Sequence, residues 1–204
     1  MTKVKICGLM ELDHVQVAVE SGADAIGFVF AKSRRQVTVT QAKNLAAAVP
    51  PGVLKIGIFA NESLEEVERI TKEVPLDMVQ LHGDEDPDYV RNVAFPTIKA
   101  LSITDEEDVH RASQYEVDYF LFDAPGVDFR GGSGHSFDWT YLTKSNIPKD
   151  KVILAGGLNE HNINEAINLV NPYMVDVSSG VETEHRKDAD KIRTFLRAVR
   201  EEER

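Results

Sequence analysis

The sequence contains little of several residue types, and each shortage narrows the kind of protein it can encode. A single cysteine, Cys7, excludes a disulfide within the chain and is typical of a reducing compartment, so we expect a cytoplasmic protein. No apolar run approaches the length of a membrane span, and the amino-terminal MTKVKICGLM lacks the apolar core of a signal peptide. No stretch rich in serine, glycine or proline divides the chain, so we expect one domain over residues 1–204.

Basic residues are also scarce relative to acidic ones. The chain has 23 lysines and arginines against 34 aspartates and glutamates, which gives a formal net charge of −11. A nucleic acid is therefore not an expected partner, and an anionic ligand has to be held by local cations and backbone N–H groups. His, Cys and Asp residues nowhere have the spacing of a metal site, so no metal ion is expected.

What the chain does contain is a regular alternation of short apolar runs and segments with a helical pattern. The runs predict eight strands, at Val4–Cys7, Ala25–Phe30, Leu54–Phe59, Met78–Leu81, Thr97–Leu101, Tyr119–Phe122, Lys151–Ala155 and Met174–Val177. The segments between them predict helices at Glu11–Glu20, Thr40–Val49, Ser63–Glu73, Pro87–Val93, Asp105–Tyr115, Asn159–Val170 and Ala189–Glu201, with a short helix near Phe137–Leu142. This even alternation favours a closed α/β fold, the (β/α)8 TIM barrel, over an open doubly wound sheet.

Polar residues follow almost every predicted strand at its carboxyl end. They are Cys7-Gly8, Lys32 to Arg35, Asn61-Glu62, His82-Gly83-Asp84, Asp123, Gly156-Gly157 and Ser178-Ser179-Gly180. The opposite ends carry mainly turn residues, such as Pro51-Gly52 and Phe95-Pro96. Because a barrel gathers the carboxyl ends of its strands around one mouth, this asymmetry predicts an active site there.

Two glycine-containing loops predict an anion site at that mouth. Gly156-Gly157 follow the seventh strand and Ser178-Ser179-Gly180 follow the eighth, which is the usual phosphate position of this fold. Gly131 to Gly134, in the long loop after strand six, could add donors from the side. Each glycine pair alone has an ordinary explanation, since turns need glycine. The convergence of these loops favours phosphate binding.

Cys7 and Asp123 are the candidate groups for proton transfer. Taken singly, Cys7 has the more ordinary explanation of a small buried apolar residue, and Asp123 that of a turn carboxylate. Strands one and six are not neighbours in a closed ring, so the two side chains can face each other across the mouth. A thiol is a poor base near neutral pH unless its anion is stabilised. Strand alternation predicts that Lys5 and Asp176 form a buried pair beneath it.

With these residues in hand, the sequence resembles the phosphoribosylanthranilate isomerase family of tryptophan biosynthesis. The similar segments run in the family's order from Lys3 to Glu182: VKICGL, SGADAIGFVFAKSRR, VQLHGDE, FDAPGVDFRGGSGHSFDW, LAGGLNEHNI and VDVSSGVE. The resemblance implies a cofactor-independent (β/α)8 isomerase. Its reaction is the Amadori rearrangement of N-(5-phosphoribosyl)anthranilate to 1-(2-carboxyphenylamino)-1-deoxyribulose 5-phosphate. The expected partner is thus a small anion with a sugar phosphate and an anthranilate carboxylate, and we expect a monomer or a homodimer.

Residue by residue, the resemblance assigns the general base to Cys7 and the general acid to Asp123. The arginine that meets the anthranilate carboxylate aligns with Arg35, with the adjacent Arg34 as the alternative. His82 is expected to contact polar groups of the substrate, to act as a spare acid, or to be a hydrogen-bonded wall residue. The phosphate is expected to be bound by Gly156, Gly157, Ser178, Ser179 and Gly180. The chain departs from the family's pattern at Met10, where a polar residue is common, and in ETEHRKD, which replaces a turn with Pro and Gly.

Three other functions are alternatives to this one. A synthase such as indole-glycerol phosphate synthase needs catalytic lysine and glutamate residues at strand ends, and Lys99 is the one obvious strand lysine there. A sugar isomerase of the histidine pathway uses two aspartates, whereas Cys7 occupies the first position. A phosphate-binding protein without catalysis would have no use for an acid and a base.

Overall fold

The eight predicted strands form a closed parallel barrel in the computed structural model, which describes residues 1–125 and 136–202. The strands are β1 Lys3–Cys7, β2 Ala25–Val29, β3 Leu54–Phe59, β4 Met78–Leu81, β5 Thr97–Ser102, β6 Tyr119–Asp123, β7 Val152–Leu154 and β8 Met174–Val177. Each strand pairs with the next in sequence, and β1 pairs with β8 to close the ring. The (β/α)8 fold is therefore confirmed, and the open sheet was the wrong alternative.

Helices connect consecutive strands around the outside of the barrel. They are α1 Leu12–Glu20, α2 Val39–Ala46, α3 Leu64–Glu73, α4 Pro87–Arg91, α5 Glu106–His110, α6 Thr140–Thr143, α7 Ile163–Val170 and α8 Ala189–Glu202. Among the described residues, no helix is both long enough and apolar enough to cross a membrane.

The helix ends follow local side-chain chemistry. The Ser63 hydroxyl accepts a hydrogen bond from the backbone N–H of Glu66, and Asp105 forms a capping box with Asp108. The predicted helix from Asn159 begins later, at Ile163. The reason is that the Asn162 side chain accepts from the Asn159 N–H and donates to the Gly157 carbonyl, which holds this stretch as a loop.

Apolar residues pack on both faces of the strands, in two layers. One layer lies between the barrel and its helices, and the other fills the barrel itself. The inner layer is formed by Ala25, Ile56, Met78, Ile98, Ala100, Leu121, Ile153, Ala155 and Met174. Burial on both faces explains why the strands are nearly continuous apolar runs, and it leaves the few polar residues inside the barrel as exceptions that need partners.

A two-stranded hairpin after β8 was not predicted. Its strands are β9 Glu182–Thr183 and β10 Arg186–Lys187, which pair antiparallel. Glu184 and His185 connect them with positive φ angles of 49° and 65°, the backbone of a tight two-residue hairpin turn. Such turns usually contain Asn or Gly, so the sequence EH gives no signal for one. The hairpin brings Glu182 and Lys187 together beside the end of β8.

Candidate active site

A buried ion pair lies inside the barrel beneath the carboxyl end of β1. Lys5 stands opposite Asp176 in the register of β1 and β8, and its Nζ lies 3.1 Å from Asp176 Oδ2. Nζ also donates to Gln80 Oε1 at 2.7 Å. Burial opposes the charge on Lys5, but Asp176 and the Cys7 thiol outweigh it and raise the pKa of Lys5. The predicted pair is confirmed, and Lys5 remains an ammonium group.

Cys7 ends β1 directly above this pair and is 8% exposed. Burial raises the pKa of the Cys7 thiol, and the negative charge of Asp176 raises it further. The positive charges of Lys5, Lys187 and Arg35 lower it, although not enough to reverse the net shift. The thiol is therefore protonated near neutral pH in the free protein, and its thiolate is a minor form held beside three cations.

Asp123 ends β6 at the same rim of the barrel and is 5% exposed. Its Oδ1 accepts a hydrogen bond of 2.8 Å from the Ala124 N–H. Burial raises the pKa of Asp123 to about 7, and the neighbouring charge of Asp176 adds to this rise. A carboxyl group in this environment keeps a proton near neutral pH and can donate it. Because β7 and β8 separate β6 from β1, Asp123 and Cys7 lie on different sides of the mouth.

This raised pKa predicts that Asp123→Asn stabilises the protein at alkaline pH. The folded-state pKa of about 7 lies above the ordinary value of 3.8, so wild-type stability is lost as the pH rises from about 4 to 7. An asparagine keeps the acceptor for the Ala124 N–H and never ionises. We expect the free energy of unfolding at pH 8 to rise by about 1–3 kcal/mol, with little change at pH 4. Urea unfolding at both pH values measures it; an equal shift at both would contradict the assignment.

His82 connects the buried pair to Asp123. Gln80 accepts from Lys5 through Oε1, so its Nε2 donates to His82 Nδ1, 3.3 Å away. An acceptor role for Nδ1 assigns the proton of a neutral imidazole to Nε2, which lies 3.7 Å from Asp123 Oδ2. His82 thus lies against the candidate acid, where it can orient the carboxyl group or contact a substrate.

Arg35 lies over the loop after β1 and makes a bidentate contact that was not predicted from the sequence. Its Nε and Nη2 donate to the Glu182 carboxylate at 2.6 and 2.9 Å. Lys187 donates to the same carboxylate at 2.8 Å, and these cations hold the pKa of Glu182 at about 2 despite its burial. Glu182 closes the segment VDVSSGVE, but nothing in that segment indicates its partners. The side chain of Arg34 is 45% exposed, which makes Arg35 the better placed of the two arginines.

The two predicted anion-binding loops touch each other. Gly156 and Gly157 have positive φ angles of 85° and 63°. A Cβ atom on Gly180 would lie 1.9 Å from the carbonyl oxygen of Leu158, so the loops after β7 and β8 meet at a distance that requires glycine. The Ser178 hydroxyl donates to the Cys7 carbonyl at 3.2 Å, which holds this pair of loops beside the end of β1. The predicted contribution of Gly131 to Gly134 lies outside the described residues.

Lys99 is the lysine that a synthase would need, and it forms a buried ion pair. Its Nζ donates to Glu85 Oε2 at 2.7 Å and to the Gly83 carbonyl at 2.9 Å. Glu85 also accepts from the backbone N–H groups of Asn61 and Gly83, so the pair joins the loops after β3 and β4. Because this lysine is held by structural partners, the synthase alternative is disfavoured.

Among the described residues, no group of three or more His, Cys, Asp or Glu side chains could hold a metal ion.

Comparison with known proteins agrees with this geometry. The family model for N-(5'-phosphoribosyl)anthranilate isomerase matches residues 4–198. A relative of that name from Bacillus cereus (strain Q1) is 51% identical over 200 residues, which cover 98% of each chain. The crystal structure of phosphoribosyl anthranilate isomerase from Thermotoga maritima is 37% identical, with a TM-score of 0.90, and the match covers 98% of this chain and 100% of that one.

A further solved structure carries a ligand. It is a phosphoribosyl anthranilate isomerase in complex with reduced 1-(o-carboxyphenylamino)-1-deoxyribulose 5-phosphate. It is 37% identical to this chain with a TM-score of 0.85, and the match covers 98% of this chain and 100% of that one. The family match over most of the chain and the identity of about one half with full-length relatives confirm the resemblance found in the sequence. This chain belongs to the N-(5'-phosphoribosyl)anthranilate isomerase family.

Proposed function

We propose that this chain, as a single catalytic domain, converts N-(5-phosphoribosyl)anthranilate to 1-(2-carboxyphenylamino)-1-deoxyribulose 5-phosphate in tryptophan biosynthesis. The observation that carries the proposal is a buried carboxyl group with a pKa of about 7 at the same barrel rim as the one thiol of the chain, within this family's fold. We further propose a cytoplasmic monomer or homodimer that works without a cofactor.

Asp123 acts first, as the general acid. It donates its proton to the furanose ring oxygen while the bond between that oxygen and C1′ breaks. The anthranilate nitrogen supplies the electron pair, and an iminium ion forms. A carboxyl group with a pKa near the working pH is suited to this step because it is still protonated and readily gives up the proton. His82 Nε2, 3.7 Å from Asp123 Oδ2, is placed to stabilise the carboxylate that results.

Cys7 acts second, as the general base. Its thiolate removes the proton from C2′, and the electron pair of that bond forms the C1′=C2′ double bond and neutralises the iminium. The resulting enolamine tautomerises to the ketone. The cations of Lys5, Lys187 and Arg35 lower the pKa of Cys7 and so favour the thiolate that this step needs. Each turnover leaves a proton on Cys7 and none on Asp123, so one proton has to return before the next.

The two anionic ends of the substrate have separate candidate partners. We assign the phosphate to the loops of Gly156-Gly157 and Ser178 to Gly180, because they lie in close contact after β7 and β8, the usual phosphate position of this fold. We assign the anthranilate carboxylate to Arg35, since a guanidinium group suits a planar carboxylate. The ligand held by the solved relative, a sugar phosphate with an aryl carboxylate, has these same two groups.

A fluorescence assay tests the activity itself. The purified chain is expected to abolish the fluorescence of phosphoribosylanthranilate without an added metal or cofactor, and an EDTA-treated sample is expected to be equally active. Absence of turnover by folded protein would refute the proposed function. Formation of an indole product would favour the synthase instead.

Arg35→Met tests the assignment of the carboxylate. Loss of the guanidinium group is expected to raise KM about 30-fold and to lower kcat less than about fivefold, because the contact exists in both the ground state and the transition state. Arg34→Met is the matched control, since its side chain is 45% exposed, and its KM is expected to change less than threefold. The reverse ranking in steady-state kinetics would move the assignment to Arg34.

A further inference from the structure

Glu182 has no part in the proton transfers proposed above, yet it lies among three cations at the mouth of the barrel. Its side chain is 5% exposed and faces three cations: Arg35 at 2.6 Å, Lys187 at 2.8 Å and Arg34 at 3.3 Å. We infer that Glu182 is a positioning residue that fixes the Arg35 guanidinium for the substrate carboxylate. The inference rests on the proposed function.

Contacts at the stem and at one edge of the guanidinium group orient Arg35. Glu182 engages Nε and Nη2, which is one edge of the planar guanidinium group. The stem is held as well, because Arg35 Cδ occupies the space 2.5 Å from where a Cβ atom of Gly8 would lie. With the stem and one edge fixed, the edge that includes Nη1 has a single direction. Glu182 therefore holds a pair of guanidinium N–H donors in place before the substrate binds. An unrestrained arginine would lose conformational freedom on binding.

Lys187 extends this arrangement toward the catalytic thiol. Its Nζ donates to Glu182 Oε1 at 2.8 Å, to the Ser178 carbonyl at 2.9 Å and to Ser178 Oγ at 3.2 Å. The Ser178 hydroxyl in turn donates to the Cys7 carbonyl. One carboxylate thus connects the arginine after β2, the loop after β8 and the end of β1. The hairpin turn at Glu184 and His185 holds both Glu182 and Lys187 in this position.

The charge balance determines the sign of the expected effect. Three cations around one carboxylate leave the cluster with a net charge of plus two. Removing the carboxylate adds positive charge to the cluster, but burial already lowers the pKa of Lys187 and Glu182 opposes that fall. Without Glu182, the pKa of the buried Lys187 falls further, which opposes that gain in positive charge. What the cluster loses is the orientation of Arg35.

The test compares two ligands on Glu182→Gln. One is the reduced product analogue, reduced 1-(o-carboxyphenylamino)-1-deoxyribulose 5-phosphate, and the other is the same molecule with a phenyl group that lacks the carboxylate. Calorimetry is expected to show about tenfold weaker binding of the carboxylated analogue and less than twofold change for the phenyl analogue. In turnover, KM is expected to rise about tenfold and kcat to change less than threefold. Equal weakening of both analogues, or of neither, would overturn the inference.

Two further variants serve as the control and the alternative for this test. Glu11→Gln removes an exposed ion pair to Arg186 on the same hairpin, and it is expected to leave both affinities unchanged. If Glu182→Gln does not fold, Glu182→Asp is used instead, because it keeps the negative charge on a shorter side chain. Its loss of affinity is expected to be smaller and again confined to the carboxylated analogue. Wild-type protein that bound neither analogue and had no turnover would refute the proposed function. Wild-type binding with unaffected variants would refute the role of Glu182 alone.

Discussion

Replacement of Cys7 by alanine is expected to lower kcat about 1,000-fold and to change KM less than about threefold. A positioned general base contributes about 10²–10⁴ in rate, and no other described side chain at that end of β1 can take its place. The sulfur is buried, and the phosphate and the carboxylate are assigned to other groups, so binding is expected to be retained. Steady-state kinetics with the fluorescence assay separates the two parameters.

Two further variants show whether the loss reflects chemistry or packing. Cys7→Ser keeps the size of the side chain, but a hydroxyl group ionises too weakly to act as the base, so it is expected to be as inactive as alanine. Ile58 and Val29 form a small buried cluster with Cys7. Ile58→Val is expected to cost about 1 kcal/mol of stability and to leave kcat unchanged. An active Cys7→Ser variant would show that the thiol is not the base, and an inactive Ile58→Val would show that the loss in Cys7→Ala reflects packing.

The chain's single cysteine allows its ionisation to be measured directly. The rate of alkylation as a function of pH is expected to show a Cys7 pKa above the ordinary range for a thiol, since burial outweighs the nearby cations. Saturation with the reduced product analogue is expected to slow alkylation, because the ligand covers the mouth. Such protection ties the thiol to the ligand site without any measurement of turnover.

The sequence permitted prediction of the barrel and of the rim on which the site lies. Strands buried on both faces leave nearly uninterrupted apolar runs, and parallel strands place their carboxyl ends together, so both inferences follow from local pattern. The Lys5–Asp176 pair could be predicted as well, because strand alternation and ring closure put the two residues on one face of adjacent strands. These features depend on the alternation of residues along the strands and on the order of the strands in the barrel, both of which a single sequence indicates.

The cluster around Glu182 could not be predicted in the same way. It depends on a hairpin whose turn, Glu184-His185, lacks the usual Asn or Gly, and on side chains from separate segments, Arg35 and Lys187. The raised pKa of Asp123 was also beyond reach, since it results from burial and from the charge of Asp176, 53 positions later in the chain. Contacts between remote segments and the degree of desolvation are properties of the folded molecule.

Replacement of Asp123 by asparagine is expected to lower kcat about 1,000-fold and to change the shape of the pH profile. The productive form of the free enzyme has Asp123 protonated and Cys7 ionised. Because the pKa of Asp123, about 7, lies below the raised pKa of Cys7, this form is a minor species at every pH. An amide cannot donate a proton to the ring oxygen, so the residual reaction depends on the thiolate alone.

The order of these two pKa values fixes the profile of kcat/KM for the wild-type enzyme. Below pH 7 the rate rises as Cys7 ionises while Asp123 stays protonated. Above pH 7 the loss of the Asp123 proton cancels the further gain in thiolate, so the profile becomes level. It falls once the pH exceeds the pKa of Cys7. The change of slope near pH 7 therefore belongs to the acid, although it lies on the acidic side of the profile.

Asp123→Asn should remove that change of slope, so that the small residual kcat/KM continues to rise above pH 7 until the thiol is fully ionised. His82 is the informative control, since an imidazole is the other proton-donating group beside the substrate site and its Nε2 lies 3.7 Å from Asp123. His82→Gln is expected to keep the change of slope near pH 7. If the slope change survives in Asp123→Asn and disappears in His82→Gln, then the imidazole is the acid. In that case, the buried carboxyl group only holds the imidazole in place.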